Sequence, residues 1–213
     1  MSDILKLADC IPNIKDLQRR AEQRPQALPN NRSVARIDNF LKQCGYSDIN
    51  KEVYNAILGY GAFELSGIAK RGLFIRGKCG IGKTYGVSCL ASFFKFPVLN
   101  AKQLQAVYMV AESEEQFYNV IDGLDFFGRP RTIVIDDIGT EDCPVVKYGT
   151  ATNVIADVLD RRYYMGFLRH NVRTIVTTNL TDEQLRQRYG IRIDDRLNEM
   201  FEFVTVDGLN LRK

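Results

Sequence analysis

The sequence predicts an α/β fold built on a parallel sheet with crossover helices, and three features predict it. From Gly72 onward five short apolar runs recur, LFI, FPVL, TIVI, RTIVTT and EFVTV, each bounded by turn residues. Longer stretches of helical periodicity separate them, as parallel neighbours require, because no tight turn can join two parallel strands. The first run also leads directly into a glycine-rich turn followed by a helical stretch, a strand-turn-helix unit in itself.

Upstream of that core, Ile4 to Glu22 places Ile4, Leu7, Ile11, Ile14 and Leu17 at loosely helical spacing, interrupted by Pro12, which predicts two short helices. QRPQALPNNR then reads as an exposed linker, since prolines and side-chain amides compete with regular backbone pairing. A soft boundary near Ser33 divides a helical, partner-binding segment, residues 1–33, from a core over residues 34–213. Ser33 is expected to cap a helix with Val34, Ile37, Phe40, Leu41 and Cys44 on its apolar face, closed by Gly45 in a left-handed conformation. A second helix is expected from about Asn50 to Lys70, carrying Val53, Ile57, Tyr60 and Leu65.

Composition narrows the class. A chain of 213 residues with 45% hydrophobic and 26% charged residues suits one α/β domain with a small appendage. Lys and Arg total 29 against 26 acids, a net charge of +3, so any nucleic-acid contact must be local. No apolar run approaches the roughly 20 residues of a membrane span, and MSDILKLADCIPNIKD carries acids where a secretion signal is basic, which leads us to expect a cytoplasmic protein without membrane contact. Five cysteines without a CxxC pair suit reduced thiols. With His170 as the single histidine, a Ser-His-Asp triad or a multi-histidine metal site has little to draw on.

GKCGIGKT fills the pattern G-x-x-x-x-G-K-[ST] at Gly77, Gly82, Lys83 and Thr84. Such a loop turns through conformations a side chain obstructs, so its backbone N–H groups can surround phosphates, helped by the positive end of the following helix. Gly77, Lys78, Cys79, Gly80, Ile81, Gly82, Lys83, Thr84 and Tyr85 are therefore expected to cradle ATP. Lys83 supplies a cation for the outer phosphates, and the Thr84 hydroxyl ligates Mg²⁺. Chance supplies the four fixed positions on the order of once per hundred chains of this length. About 50 residues downstream, TIVIDD ends a buried-strand pattern in two carboxylates. Asp136 is expected to hold Mg²⁺ through its water shell and Asp137 to polarise the attacking water. RTIVTTNL ends in Asn179, a side chain able to position water beside those acids.

Strand-GKCGIGKT, IVIDDIG, VLDRRY, TIVTTNL, YGIRIDDRLNEM and GLNLR follow one another in an order that resembles AAA+ ATPases of the DnaC/IstB type, most of all bacterial or phage replicative-helicase loaders. The resemblance covers about residues 46–213. It implies an AAA+ P-loop core with five parallel strands in the order 5-1-4-3-2, helices on both faces and no C-terminal helical lid. It further implies an ATP-dependent oligomer with nucleotide at subunit boundaries, Asn179 as sensor beside Asp137, and Arg196 reaching into the neighbour's site. Arg192 is a second candidate for that role; Arg161 and Arg162 are weighed between the boundary and a solvated helix face. Loaders of this type line a DNA path with helices between strands 2 and 3, here Ala101 to Gly123, where Lys102, Gln103 and Tyr108 are candidate contacts and Phe117 or Tyr118 candidate stacking groups, among the acids Glu112, Glu114 and Glu115.

The functional expectation is a slow, partner- or DNA-stimulated ATPase that loads a replicative helicase on single-stranded DNA. The alternatives are an IstB-like transposition helper acting on duplex DNA, a small-molecule P-loop kinase, and a nucleotide-dependent scaffold with little turnover.

Overall fold

The computed structural model describes residues 28–46, 50–125 and 128–208. The helices expected within Ile4 to Glu22, the first half of the linker after them and the last four residues of GLNLR lie outside the described residues. Helices α1 (Asn31–Gln43) and α2 (Lys51–Leu65) precede β1 (Gly72–Gly77) and α3 (Lys83–Phe94). Then come β2 (Val98–Asn100), α4 (Ala101–Val110), α5 (Glu114–Asp122) and β3 (Ile133–Ile138). A short antiparallel hairpin of β4 (Val145–Lys147) and β5 (Thr150–Thr152) leads into α6 (Val154–Arg161), which continues as a π-helical stretch (Arg162–Arg169). The chain closes with β6 (Thr174–Thr178), α7 (Asp182–Tyr189), α8 (Ile191–Met200) and β7 (Phe201–Val206).

Five strands form one parallel sheet in the spatial order β2-β3-β6-β1-β7. Numbered among themselves from β7's edge, these strands run 5-1-4-3-2. Alternation along the central strands divides the core. Leu73 and Ile75 of β1, Val134 of β3 and Ile175 of β6 pack towards α1, α2 and α3. Phe74, Ile133, Ile135 and Val176 pack towards α4 to α8. With both faces covered, the apolar stretches of the central strands β1, β3 and β6 read in sequence as runs and not as alternations, whereas the edge strand β7 keeps an exposed Glu202.

Two boundaries differ from expectation. The cap of α1 is Asn30, whose side-chain oxygen accepts from Ser33 N at 2.8 Å, so the helix starts before Ser33. Asn caps as well as Ser, and here it meets the third helical amide while Ser33 sits buried inside the first turn. Helix α2 stops at Leu65 because Gly67, at φ +69°, turns the chain back, with Gly67 N on Glu64 O (3.0 Å) and Ile68 N on Phe63 O (3.1 Å). Gly45 closes α1 in the same way at φ +71°.

Arg161 is part-buried and held within the chain, and Arg162 lies neither at an exposed boundary nor on a solvated face. Arg161 grips Asp122 with two donors, at 3.2 and 2.5 Å. Arg162 is fully buried, donating to Thr174 Oγ1 (2.9 Å) and to the carbonyls of Arg131 (3.0 Å) and Arg173 (2.7 Å). Burial pulls its guanidinium down to about 10, still charged at neutral pH. The side chain lies across Gly166, where a Cβ would stand 3.2 Å from the guanidinium carbon.

Candidate functional site

The glycine-rich loop joins β1 to α3, and its backbone has the shape the motif demands. Gly80 and Gly82 take φ of +83° and +96°, and Gly82 serves as the N-cap of α3 without any side-chain cap bond. By contrast α1, α2, α4, α5, α6 and α7 each begin under an Asn, Ser or Thr side chain. The first-turn amides of α3 are thus left to an external acceptor, which fits a phosphate. Ile81 is fully buried in the core, so the middle of the loop is anchored by its side chain. A cavity of about 380 Å³ opens beside the loop, lined in part by Gly77, Lys78, Asn179, Thr181 and Asp207.

Lys83 is buried and its ammonium reaches Gly77 O (2.8 Å), Lys78 O (2.8 Å) and Asn179 Oδ1 (2.7 Å). The same Asn179 donates to Asp137 Oδ1 at 3.4 Å. Thr84 Oγ1 donates to Asp136 Oδ1 at 3.1 Å. Five residues expected on separate motifs, Lys83, Thr84, Asp136, Asp137 and Asn179, therefore meet at the tips of β1, β3 and β6. A hydroxyl oxygen beside a carboxylate is the hard-oxygen pair that Mg²⁺ accepts. Among the described residues no cluster of three or more His, Cys, Asp or Glu could hold a metal ion.

The two acids are held by a residue that sequence reasoning missed. Thr177 of β6 is fully buried; its hydroxyl donates to Asp136 Oδ1 at 2.5 Å and accepts from Asp137 N at 2.9 Å. A threonine inside the otherwise apolar run RTIVTT was the available signal. Between Ile135 and Ile138 the β3–β6 register shifts, and Asp137 adopts φ +55°, so successive carboxylates are aimed out of the strand tip. Burial raises the Asp136 carboxyl above its ordinary range, opposed by its bond to Thr177 and reinforced by the Asp137 charge.

The end of α1 also supports the loop, which the sequence did not indicate. Tyr46 is fully buried and donates to Gly82 O at 3.0 Å, while Tyr85 donates to Cys44 O. Gly86 has no side chain because a Cβ there would stand 2.5 Å from the Tyr46 hydroxyl oxygen. Of the remaining loop residues, Cys79 is exposed, and Lys78 is exposed and paired with Asp207 at 3.1 Å.

The arginine expected to reach a neighbour is placed differently. Arg196 is buried, ion-paired with Asp160, donating to Tyr164 OH at 2.5 Å and lying over the rings of Tyr163 (5.1 Å) and Tyr164 (4.5 Å). Such a side chain is occupied within its own chain. Arg192, one helical turn earlier, is 72% exposed at 3.8 Å from Asp160. The candidate DNA contacts are also partly occupied. Gln103 caps α4 from its side chain, Phe117 is buried edge-on to Tyr108, Tyr108 donates to Thr152, and Tyr118 lies under Arg161 at 4.5 Å. Lys102 is exposed. Among the described residues no helix is long and apolar enough to cross a membrane.

No protein-family model matches the sequence, and no curated protein matches it. In structure the chain is similar to the DnaC helicase loader, with 18% identity and a TM-score of 0.46 over 87% of this chain and 94% of that one. It is also similar to AMPPCP-bound DnaA from Aquifex aeolicus (17%, TM-score 0.48, 87% and 54%) and to a DNA replication initiation factor (14%, 0.45, 80% and 48%). The chain spans about half the length of these last two. All three are distant likenesses of fold.

Proposed function

We propose that this chain is an ATPase that binds ATP with Mg²⁺ at the tips of β1, β3 and β6, assembles into an oligomer, and loads a replicative helicase on single-stranded DNA. The convergence of Lys83, Thr84, Asp136, Asp137 and Asn179 on one point carries the nucleotide reading. The loading role rests on the sequence resemblance of the succession from VLDRRY to YGIRIDDRLNEM.

The roles follow from the contacts. Loop amides and the uncapped start of α3 bind the phosphate chain, and Lys83 exchanges its two loop carbonyls for phosphate oxygens while keeping Asn179. Thr84 and Asp136 would hold Mg²⁺, which when bound offsets charge on the phosphate oxygens. Asp137 accepts a hydrogen bond from the attacking water and orients it, and Asn179 fixes that carboxylate relative to Lys83. Arg192 of one subunit, and not Arg196, is the side chain free to approach the next subunit's phosphates. A trans arginine of this kind is worth roughly 10³–10⁵ in rate.

The test is Lys83→Ala. We expect titration with a fluorescent ATP analogue to show an affinity loss of about 100-fold, or about 2.7 kcal/mol; unchanged affinity in a folded variant refutes the cradle. Hydrolysis stimulated by single-stranded more than duplex DNA, with copurification of a ring helicase, supports loading. The opposite DNA preference supports the transposition helper.

A further inference from the structure

Glu141, three residues past the Ile138 end of β3, is a buried acid with no part in the chemistry described above. Its side chain joins two distant pieces of chain. Oε2 accepts from Gly139 N at 2.8 Å. Oε1 accepts from Arg188 Nε at 2.9 Å and from the Tyr189 hydroxyl at 2.8 Å. Arg188 returns a second donor to the Glu141 backbone carbonyl, so the two residues are held at two points. A buried carboxylate costs several kcal/mol unless its charge and lone pairs are met, and here both are. Burial pulls the Arg188 guanidinium down, and its bond and pairing with Glu141 more than reverse this.

One joined piece borders the proposed site, and the other leads towards Arg192. Gly139 is two residues from Asp137, has φ +99°, and sits so close to Leu180 that a Cβ would stand 2.5 Å from that side chain. Leu180 directly follows Asn179. Arg188 and Tyr189 end α7; Gly190, at φ +88°, is the single joint before α8, which has no side-chain N-cap and carries Arg192 in its first turn. The Arg188 carbonyl also accepts from Asn153 at 2.7 Å, and Asn153 caps α6, the helix whose Asp160 faces both Arg192 and Arg196. Each contact is short and buried or part-buried.

We propose that Glu141 is a positioning residue that ties the acidic tip of β3 to the α7–α8 joint, so that occupancy of the nucleotide site and presentation of Arg192 to a neighbouring subunit change together. The inference rests on the nucleotide reading above. Glu141→Gln retains an acceptor for Gly139 N and loses the charge that holds Arg188. Arg188→Lys keeps that charge and loses the two-point grip, which guards against one variant failing to fold.

The experiment is hydrogen exchange by mass spectrometry on the full chain, with and without ATP and Mg²⁺, alongside steady-state hydrolysis. In the wild type, nucleotide should slow exchange in residues 77–84 and also alter residues 188–194. In both variants the first response should persist, with ATP affinity within about twofold, while the second disappears and kcat falls about tenfold with KM nearly unchanged. A role in stability alone would lower melting temperature without separating the two responses. Wild-type behaviour of residues 188–194 in either folded variant, or a loss of ATP affinity matching the loss of kcat, overturns the inference while leaving the nucleotide site standing. No response of residues 77–84 in the wild type removes the nucleotide reading, and the coupling falls with it.

Discussion

Thr177→Val tests how the acids are held, because it changes the hydrogen bonding of the site at nearly constant shape. Both side chains are β-branched and of similar volume, so strand preference and packing against the sheet are preserved. What is lost is the donor to Asp136 Oδ1 at 2.5 Å and the acceptor for Asp137 N at 2.9 Å. A bond to a charged acceptor contributes about 1.5–3 kcal/mol, and leaving a buried amide unmet costs about 1–3 kcal/mol; allowing for partial compensation by water at the strand tip, the net loss is about 2–4 kcal/mol. For a chain of this size each kcal/mol moves Tm by roughly 2–4 °C, which puts the expected drop at about 5–15 °C by differential scanning fluorimetry.

The pH dependence carries a second reading of the same variant. Asp136 already titrates above the ordinary carboxylate range because of burial, and Thr177 is the main influence holding it down. Removing that donor raises the folded-state pKa further. The stabilising effect of the Thr177 bond is therefore present where Asp136 is ionised and fades as pH falls through its folded-state pKa, so the Tm deficit of Thr177→Val should shrink on acidification. Mg²⁺-dependent hydrolysis needs the ionised carboxylate, and its rise with pH should move to higher pH in the variant. Thr177→Ser should recover both properties. A Tm within about 1 °C of wild type, with an unmoved pH profile, would show that Thr177 does not organise the acids.

Asp136→Asn should raise the Tm of the nucleotide-free protein at neutral pH while abolishing Mg²⁺-dependent hydrolysis. With the folded pKa above the unfolded one, ionised Asp136 is a liability that grows as pH rises through that window, and the amide removes it; a lower Tm at pH 7.5 contradicts this. Arg196→Ala should destabilise the fold by about 2–4 kcal/mol, since it strands Asp160 and uncovers two rings. Arg192→Ala should leave Tm within about 2 °C, an exposed pair being worth about 0–1 kcal/mol, yet suppress hydrolysis. Mixing the Arg192→Ala protein with Asp137→Asn should restore part of the activity through hybrid interfaces, and no restoration at any ratio argues against a shared site.

What the sequence made legible was whatever is local along it. Eight contiguous residues specify the phosphate loop, and the central strands β1, β3 and β6 carry contiguous buried apolar residues, so the loop and these strands can be read without tertiary information. The parts that were not legible depend on partners far away in sequence. Thr177 meets residues 40 and 41 positions earlier, Glu141 meets Arg188 47 positions later, and Arg162 reaches back 31 positions to the Arg131 carbonyl. The β4–β5 hairpin was hidden for a different reason. Its turn uses Tyr148 and Gly149 at φ +51° and +82°, and a tyrosine in a position that favours Asn, Asp or Gly gives no composition signal.

Arg196 shows the opposite situation, a signal present in the sequence and outweighed by resemblance. Helix α8 buries Ile193, Arg196, Leu197 and Met200, spaced i, i+3, i+4 and i+7, so periodicity alone places Arg196 on the core-facing stripe. Position within a family motif pointed instead to an arginine directed outward. The two readings can be reconciled by dividing the work between residues one turn apart. Asp160 on α6 faces both, bonded to Arg196 and within 3.8 Å of Arg192. Arg196, stacked over Tyr163 and Tyr164, fixes α8 against the π-helical stretch and α6. A helix so fixed holds Arg192 at a defined height on the surface. On the proposed assembly, the buried arginine is expected to set where the exposed one can act, so that a change at Arg196 would reach a neighbour's site through the geometry of α8.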